Sequence, residues 1–300
     1  MKLLPSLLTT LVLCLAPALH ALDVEGETAA NSRFSSGYPA GPVENTGFVE
    51  DASEFVAVGW NANRATQSFT LITPQHIIGA AHFAPSEGAT IEFYTLQDTV
   101  ISRTVTARAT VQNNGNATDV FVAELNSPIP SSAVPHALLP ETPVLVGDDL
   151  VVYGFTALAG SNRIASLGAV ASFSGALGGG SAVSNGPAFE FTRSTTLTAQ
   201  GEAMLEVGDS GSPSFVMENG ILKIAGIHSA LASATGFDVA IDSDLSRLIP
   251  EINQAIADVG ATGFTVSQTM VTPAVPEPAA FAWLTALAAF WAVYRFRRDP

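Results

Sequence analysis

Between about residue 55 and residue 241 the chain is a succession of short runs rich in β-branched and aromatic residues, separated by Gly, Asn, Pro and Ser. The runs fall at 55–60, 68–73, 90–95, 100–111, 120–125, 150–155, 164–173, 188–193, 214–217, 222–228 and 237–241. Short strands at regular spacing with such turns predict an all-β barrel or sandwich. One helix is expected after them, over 242–258. There Leu245, Leu248, Ile249, Ile252, Ile256 and Val259 recur at helical spacing, and Pro250 is expected to split or kink it. No internal repeat is visible.

The two ends differ from this body. Lys2, an apolar run over 3–15 and the small residues Ala16, Pro17, Ala18 and Ala21 predict a signal peptide over 1–22. Residues 23–50 are rich in Gly, Ser, Asn, Pro and Glu with no apolar period, which predicts a loosely ordered extension or pro-segment. A compact domain is expected over 51–258, followed by a small-residue linker over 259–274. At 275–278 stands Val275-Pro276-Glu277-Pro278, then an apolar stretch over 279–294, then Arg295, Arg297 and Arg298. That stretch is short for a bilayer span, which takes about twenty residues. Trp283, Trp291, Tyr294 and the arginines suit an interfacial anchor with a basic cytoplasmic end.

Charge and cysteine content narrow the function. The net charge is −15, and Lys2, Arg295, Arg297 and Arg298 all lie in the ends, so the body is more acidic still. Such a surface repels nucleic acid and anionic lipid, leaving the tail as the expected membrane contact. The single cysteine, Cys14, leaves with the signal peptide. The mature chain then has neither a disulfide nor a thiol nucleophile, though a domain of roughly 200 residues can bury an adequate core unaided.

Three segments carry chemistry. Gly208-Asp209-Ser210-Gly211-Ser212-Pro213 offers a serine in a sharp turn. A serine is a weak nucleophile without a base and fixed oxyanion donors, and here the N–H groups of Gly208 and Ser210 are the expected donors. Ala80-Ala81-His82 ends an apolar strand, and the small alanines let the imidazole lie against backbone. Ala117-Thr118-Asp119-Val120-Phe121 places a carboxylate at the head of another, where a histidine N–H is the expected partner.

In the order His, Asp, Ser, these segments resemble the chymotrypsin/trypsin family of serine proteases over about residues 50–255. Val152-Tyr153-Gly154-Phe155 resembles the family's Gly-Trp-Gly strand, and Ala225-Gly226-Ile227-His228-Ser229 its Gly-Ile-Val-Ser strand. The resemblance implies two six-stranded antiparallel β-barrels with a C-terminal helix, and His82, Asp119 and Ser210 as a catalytic triad. It implies an endopeptidase acting on protein or peptide substrates, needing no cofactor and no metal. Ser229 is implied to hydrogen-bond Asp119. Met204 matches the base of the S1 pocket, where it offers no carboxylate to a basic P1 residue, and Leu231 stands where it would narrow the entrance. His228 and the Gly211-Ser212-Pro213 run are similar to the glutamyl endopeptidase branch, where a histidine here contacts an acidic P1 side chain. The tail resembles the PEP-CTERM sorting signal of Gram-negative bacteria. That implies export through the Sec pathway, transient anchoring, an exosortase-type partner, and residence in the periplasm or at the cell surface.

Some features depart from the family. No Ile-Val-Gly-Gly start is visible, so the N-terminal ammonium that usually pairs with the aspartate before the nucleophile, here Asp209, is unidentified. His76 and His136 sit in turn-like contexts and are expected at the surface. Two competing readings stand beside the protease. A catalytically silent binding or matrix module on the same fold would be expected to have lost a triad member. An esterase would be expected to set its serine in the strand–elbow–helix context that this chain lacks.

Overall fold

The computed structural model describes residues 22–168, 184–193, 201–234, 237–260 and 263–269. Most of the expected signal peptide and all of the sorting tail lie outside the described residues. Among those described, no helix is long and apolar enough to cross a membrane.

Residues 22–50 correct the reading of a loose extension. They contribute three short strands, β1 (Asp23–Val24), β2 (Phe34–Ser36) and β3 (Val43–Glu44). Their composition hides specific anchors. Asn31 donates to the carbonyl of Ala159 at 3.0 Å, and the buried Arg33 donates through Nη1 to the carbonyl of Phe55 at 2.8 Å. The Arg33 guanidinium also lies over the Phe34 ring at 4.9 Å, a cation–π contact that offsets part of its desolvation.

The first sheet closes on itself. It comprises β4 (Val58–Asn61), β5 (Arg64–Thr73), β6 (His76–Ala80), β7 (Thr90–Tyr94), β8 (Val100–Asn113) and β9 (Asn116–Leu125), in the order β4-β5-β6-β9-β8-β7. Closure removes the unpaired strand edges that would otherwise invite aggregation. Phe69 of β5 and Phe121 of β9 meet edge to face at 5.8 Å inside it. Both are wholly buried or nearly so, along with Leu71, Ile77, Ile91 and Phe93.

The second unit is a seven-stranded antiparallel sheet curled into a half-barrel. Its strands are β10 (Asp149–Tyr153), β11 (Ala159–Arg163), β12 (Ser166–Gly168), β13 (Ala188–Thr192), β15 (Pro213–Glu218), β16 (Ile221–Ala234) and β17 (Phe237–Asp244). The short β14 (Ala203–Met204) lies outside that sheet and pairs with β1. The architecture is thus the expected all-β class.

The helix begins later than the apolar period suggests. Residues 242–244 finish β17, Asp244 caps a short 3-10 turn, and α1 runs over Ile249–Val259. Pro250 falls in its first turn, where a missing N–H costs no intrahelical bond, so it starts the helix instead of kinking it. Gly260, with φ of +113°, ends it. Ile252, Ala255, Ile256 and Val259 form the buried face, which packs against β8 and β9. Each isoleucine there contributes about 1.5–3 kcal/mol by leaving water.

Candidate active site

Both halves of the molecule contribute side chains to one point. His82 sits in a 3-10 turn, Ala81–Phe83, that follows β6 directly. Asp119 lies on β9, the neighbour of β6 in the barrel, with Ala80 opposite Val120. Adjacent strands therefore bring the carboxylate to the imidazole. Ser210 arrives from the other sheet, on the turn before β15.

The three side chains form a continuous hydrogen-bonded line. His82 Nδ1 lies 2.7 Å from Oδ2 and 3.0 Å from Oδ1 of Asp119. The His82 main-chain N–H donates to Asp119 Oδ1 at 2.9 Å, locking the histidine backbone as well as its ring. His82 Nε2 lies 2.9 Å from Ser210 Oγ. An ionised carboxylate only accepts, so Nδ1 carries the proton and Nε2 is left to accept from the serine hydroxyl. Asp119 and Ser210 are buried, and the His82 side chain is 4 % exposed.

The serine turn is pinned on every side. Asp209 N–H donates to Glu206 O, and Ser212 N–H to Asp209 O. Gly211 N–H donates to the carbonyl of His228. Gly208 has φ of +117°, and a Cβ there would lie 2.8 Å from the Phe155 ring, so glycine is needed for both conformation and space. Gly208 and Ser210 are the residues whose N–H groups were expected to meet an oxyanion.

Asp209 is fully buried. Its carboxylate accepts from the main-chain nitrogens of Leu22 (3.0 Å), Phe155 (3.1 Å) and Glu206 (2.8 Å). Burial raises its pKa, against the opposing influence of His228 and of those three donors. Sequence reasoning missed Leu22 as its partner, and the signal was the small-residue run ending at Ala21, one position before it. It also missed Ser184, whose Oγ accepts the Asp119 N–H at 3.1 Å. Nothing local in the sequence marks that serine.

The residues expected to meet substrate fare differently. Met204 lies on β14, opposite Asp23 of β1, in an apolar cluster with Leu22, Val24, Phe189 and Phe191, and Leu231 packs against the same cluster. Ser229 Oγ pairs with Ser243 Oγ at 2.9 Å and donates to the carbonyl of Ile227, not to Asp119. That corrects the implied contact: Ser243 on β17 and the carbonyl of Ile227 hold the hydroxyl instead. The His228 ring is wholly buried. Its Nδ1 meets Asp242 and its Nε2 meets the carbonyl of Tyr153, so neither nitrogen is left for a substrate carboxylate.

The other histidines are less exposed than expected. His76 is fully buried on β6 beside Thr73, because the turn before it is short and β6 lies inside the sheet. His136 is half-buried. Among the described residues, no group of three or more His, Cys, Asp or Glu side chains is placed to hold a metal ion.

The family model described as Trypsin matches residues 53–248. No curated protein matches the chain. Among solved structures, kallikrein-related peptidase 10 is similar at 16% identity and a TM-score of 0.46, covering 66% of this chain and 93% of its own. The Rv3671c protease in an inactive form is similar at 20% identity and a TM-score of 0.43, covering 70% and 92% respectively.

Proposed function

This chain belongs to the trypsin family, and from that premise we propose that it is an exported serine endopeptidase working through an acyl-enzyme. The observation that carries the reading is the unbroken line from Asp119 through His82 to Ser210, with its two links at 2.7 and 2.9 Å.

In this mechanism Ser210 Oγ attacks the scissile carbonyl carbon while His82 Nε2 takes its proton. Asp119 holds the ring in the right tautomer and stabilises the imidazolium. The N–H groups of Gly208 and Ser210 receive the oxyanion. The C–N bond then breaks as His82 returns the proton to the leaving amine. Water, deprotonated by the same histidine, releases the acyl group and restores Ser210.

The chemistry of Met204 and Leu231 favours small apolar P1 residues over Arg or Lys, since neither side chain can neutralise a cation. Export accounts for the N-terminal end. With the leader ending at Ala21, one residue before the expected boundary at 22, cleavage turns the amide at Leu22 into an ammonium facing Asp209. The acidic surface and peptide chemistry leave no role for nucleic acid. The tail over 275–300 serves sorting by an exosortase-type enzyme.

One observation favours the silent binding module instead: Ser210 is wholly buried. Cleavage of a peptide library by the processed protein, read by mass spectrometry, separates the two. The protease reading expects new termini after small apolar residues that vanish in Ser210→Ala. A folded protein that cuts nothing contradicts it.

A further inference from the structure

His228 lies on β16 directly beneath the serine turn, and its main chain forms part of that turn's support. Its carbonyl accepts from Gly211 N–H and its N–H donates to Ser212 O, both at 3.0 Å. These are the two residues that follow Ser210. The position of the nucleophile thus depends on where His228 is held.

Its ring is held by two other strands. Nδ1 lies 2.8 Å from Oδ1 of Asp242 on β17, and Nε2 lies 3.2 Å from the carbonyl oxygen of Tyr153 on β10. A carbonyl oxygen only accepts, so Nε2 bears a proton. The contact with Asp242 needs a second one. Asp242 is itself wholly buried, and its Oδ2 has no hydrogen-bond partner among the described residues. A bare carboxylate beside a neutral ring is strongly disfavoured in such a place. Gly226 makes the arrangement possible, since a Cβ there would sit 2.8 Å from that oxygen.

We propose that His228 is a positioning residue, which holds the Ser210 turn through a buried proton shared with Asp242 and does not touch substrate. The proposal rests on the protease reading for its catalytic consequence, and on geometry alone for the shared proton.

The charged groups around the ring act in the same sense. Burial opposes the imidazolium, but Asp242 on β17 and Asp209 on the serine turn outweigh it, and the pKa of His228 is raised. Phe191 on β13, 6.5 Å away between ring centres, is uncharged. The doubly protonated ring is therefore fully present below the ordinary value of about 6.5 and is lost as pH rises through the higher folded value. Once the proton leaves, one of the two ring contacts faces a lone pair with a lone pair. The ring is released, and turnover falls on the alkaline side.

Two readouts test this on the processed protein. In histidine-labelled protein, proton–nitrogen spectra at a pH of about 7.5, above the ordinary value, should show both ring nitrogens of His228 protonated. In Asp242→Asn a neutral ring satisfies every partner, because the amide donates to Nδ1, and a single ring proton should remain. The pH profile of kcat, or of the rate of fluorophosphonate labelling, should lose its alkaline fall in Asp242→Asn. His228→Gln should lower kcat by about tenfold while leaving KM nearly unchanged. A single ring proton in the unmodified protein overturns the proposal, and so do superimposable pH profiles for it and Asp242→Asn. Failure to label at any pH overturns the protease reading and the positioning role with it. The ring-proton count would still judge the shared proton on its own.

Discussion

The main-chain nitrogen of Leu22 lies 3.0 Å from Oδ2 of Asp209, a buried contact between residues 187 positions apart. Leu22 adopts φ of +37°, a left-handed conformation that a leucine avoids and that exists only while residue 21 is attached. Cutting the chain before Leu22 removes that strain. It also converts a neutral donor into a cation opposite a buried carboxylate.

Processing at that bond should therefore switch the serine turn into its working form. With an amide at Leu22, burial raises the pKa of Asp209. A raised carboxylate pKa means stability present at low pH and lost as pH rises through the folded value. An ammonium reverses that sign. Protein beginning at Leu22 should be more stable at pH 7 than protein carrying extra residues before it, by about 1.5–3 kcal/mol, the worth of a charged hydrogen bond. Urea melts and kcat measured on both forms check this; equal stability and equal kcat would refute it.

The same junction tolerates no bulk. A Cβ at Gly154 would lie 2.8 Å from both Asp209 Oδ1 and Leu22 Cβ. Gly154→Ala should destabilise the protein by about 1–3 kcal/mol, as overpacking does. It should also depress kcat more than KM, because Asp209, the residue before the nucleophile, is displaced. Chemical denaturation with steady-state kinetics gives both values, and an unchanged kcat in a destabilised protein would sever the link.

Much of the site was legible because its motifs are local. His82, Asp119 and Ser210 each stand in a short stretch whose neighbours announce a strand end or a tight turn. What stayed hidden joins residues distant in sequence without any periodic pattern: Leu22 with Asp209, Ser184 with Asp119, His228 with Asp242. Residues 22–50 misled through composition, since a few anchors such as Arg33 and Asn31 order a segment with no apolar period. The helix start misled through periodicity. Leu245 and Leu248 are buried at helical spacing, yet they belong to the turn between β17 and α1.

Buried His76 should make the fold acid-sensitive. Burial lowers its pKa to about 4. Between the ordinary value of about 6.5 and that folded value, the unfolded chain takes up a proton that the folded one does not. Stability contributed at neutral pH is thus lost as pH falls through that window. His76→Gln should flatten the pH dependence of thermal unfolding there, whatever its effect at pH 7. A slope unchanged by the substitution would assign the sensitivity elsewhere.

Labelling of the processed protein with a fluorophosphonate tests the central claim most directly, because the reagent reacts only with a serine whose proton has a base to go to. The account predicts one adduct, on Ser210, absent in Ser210→Ala and reduced by about 10⁶ in rate in His82→Ala. A folded, processed protein that takes no label, or labels equally well without His82, would contradict it.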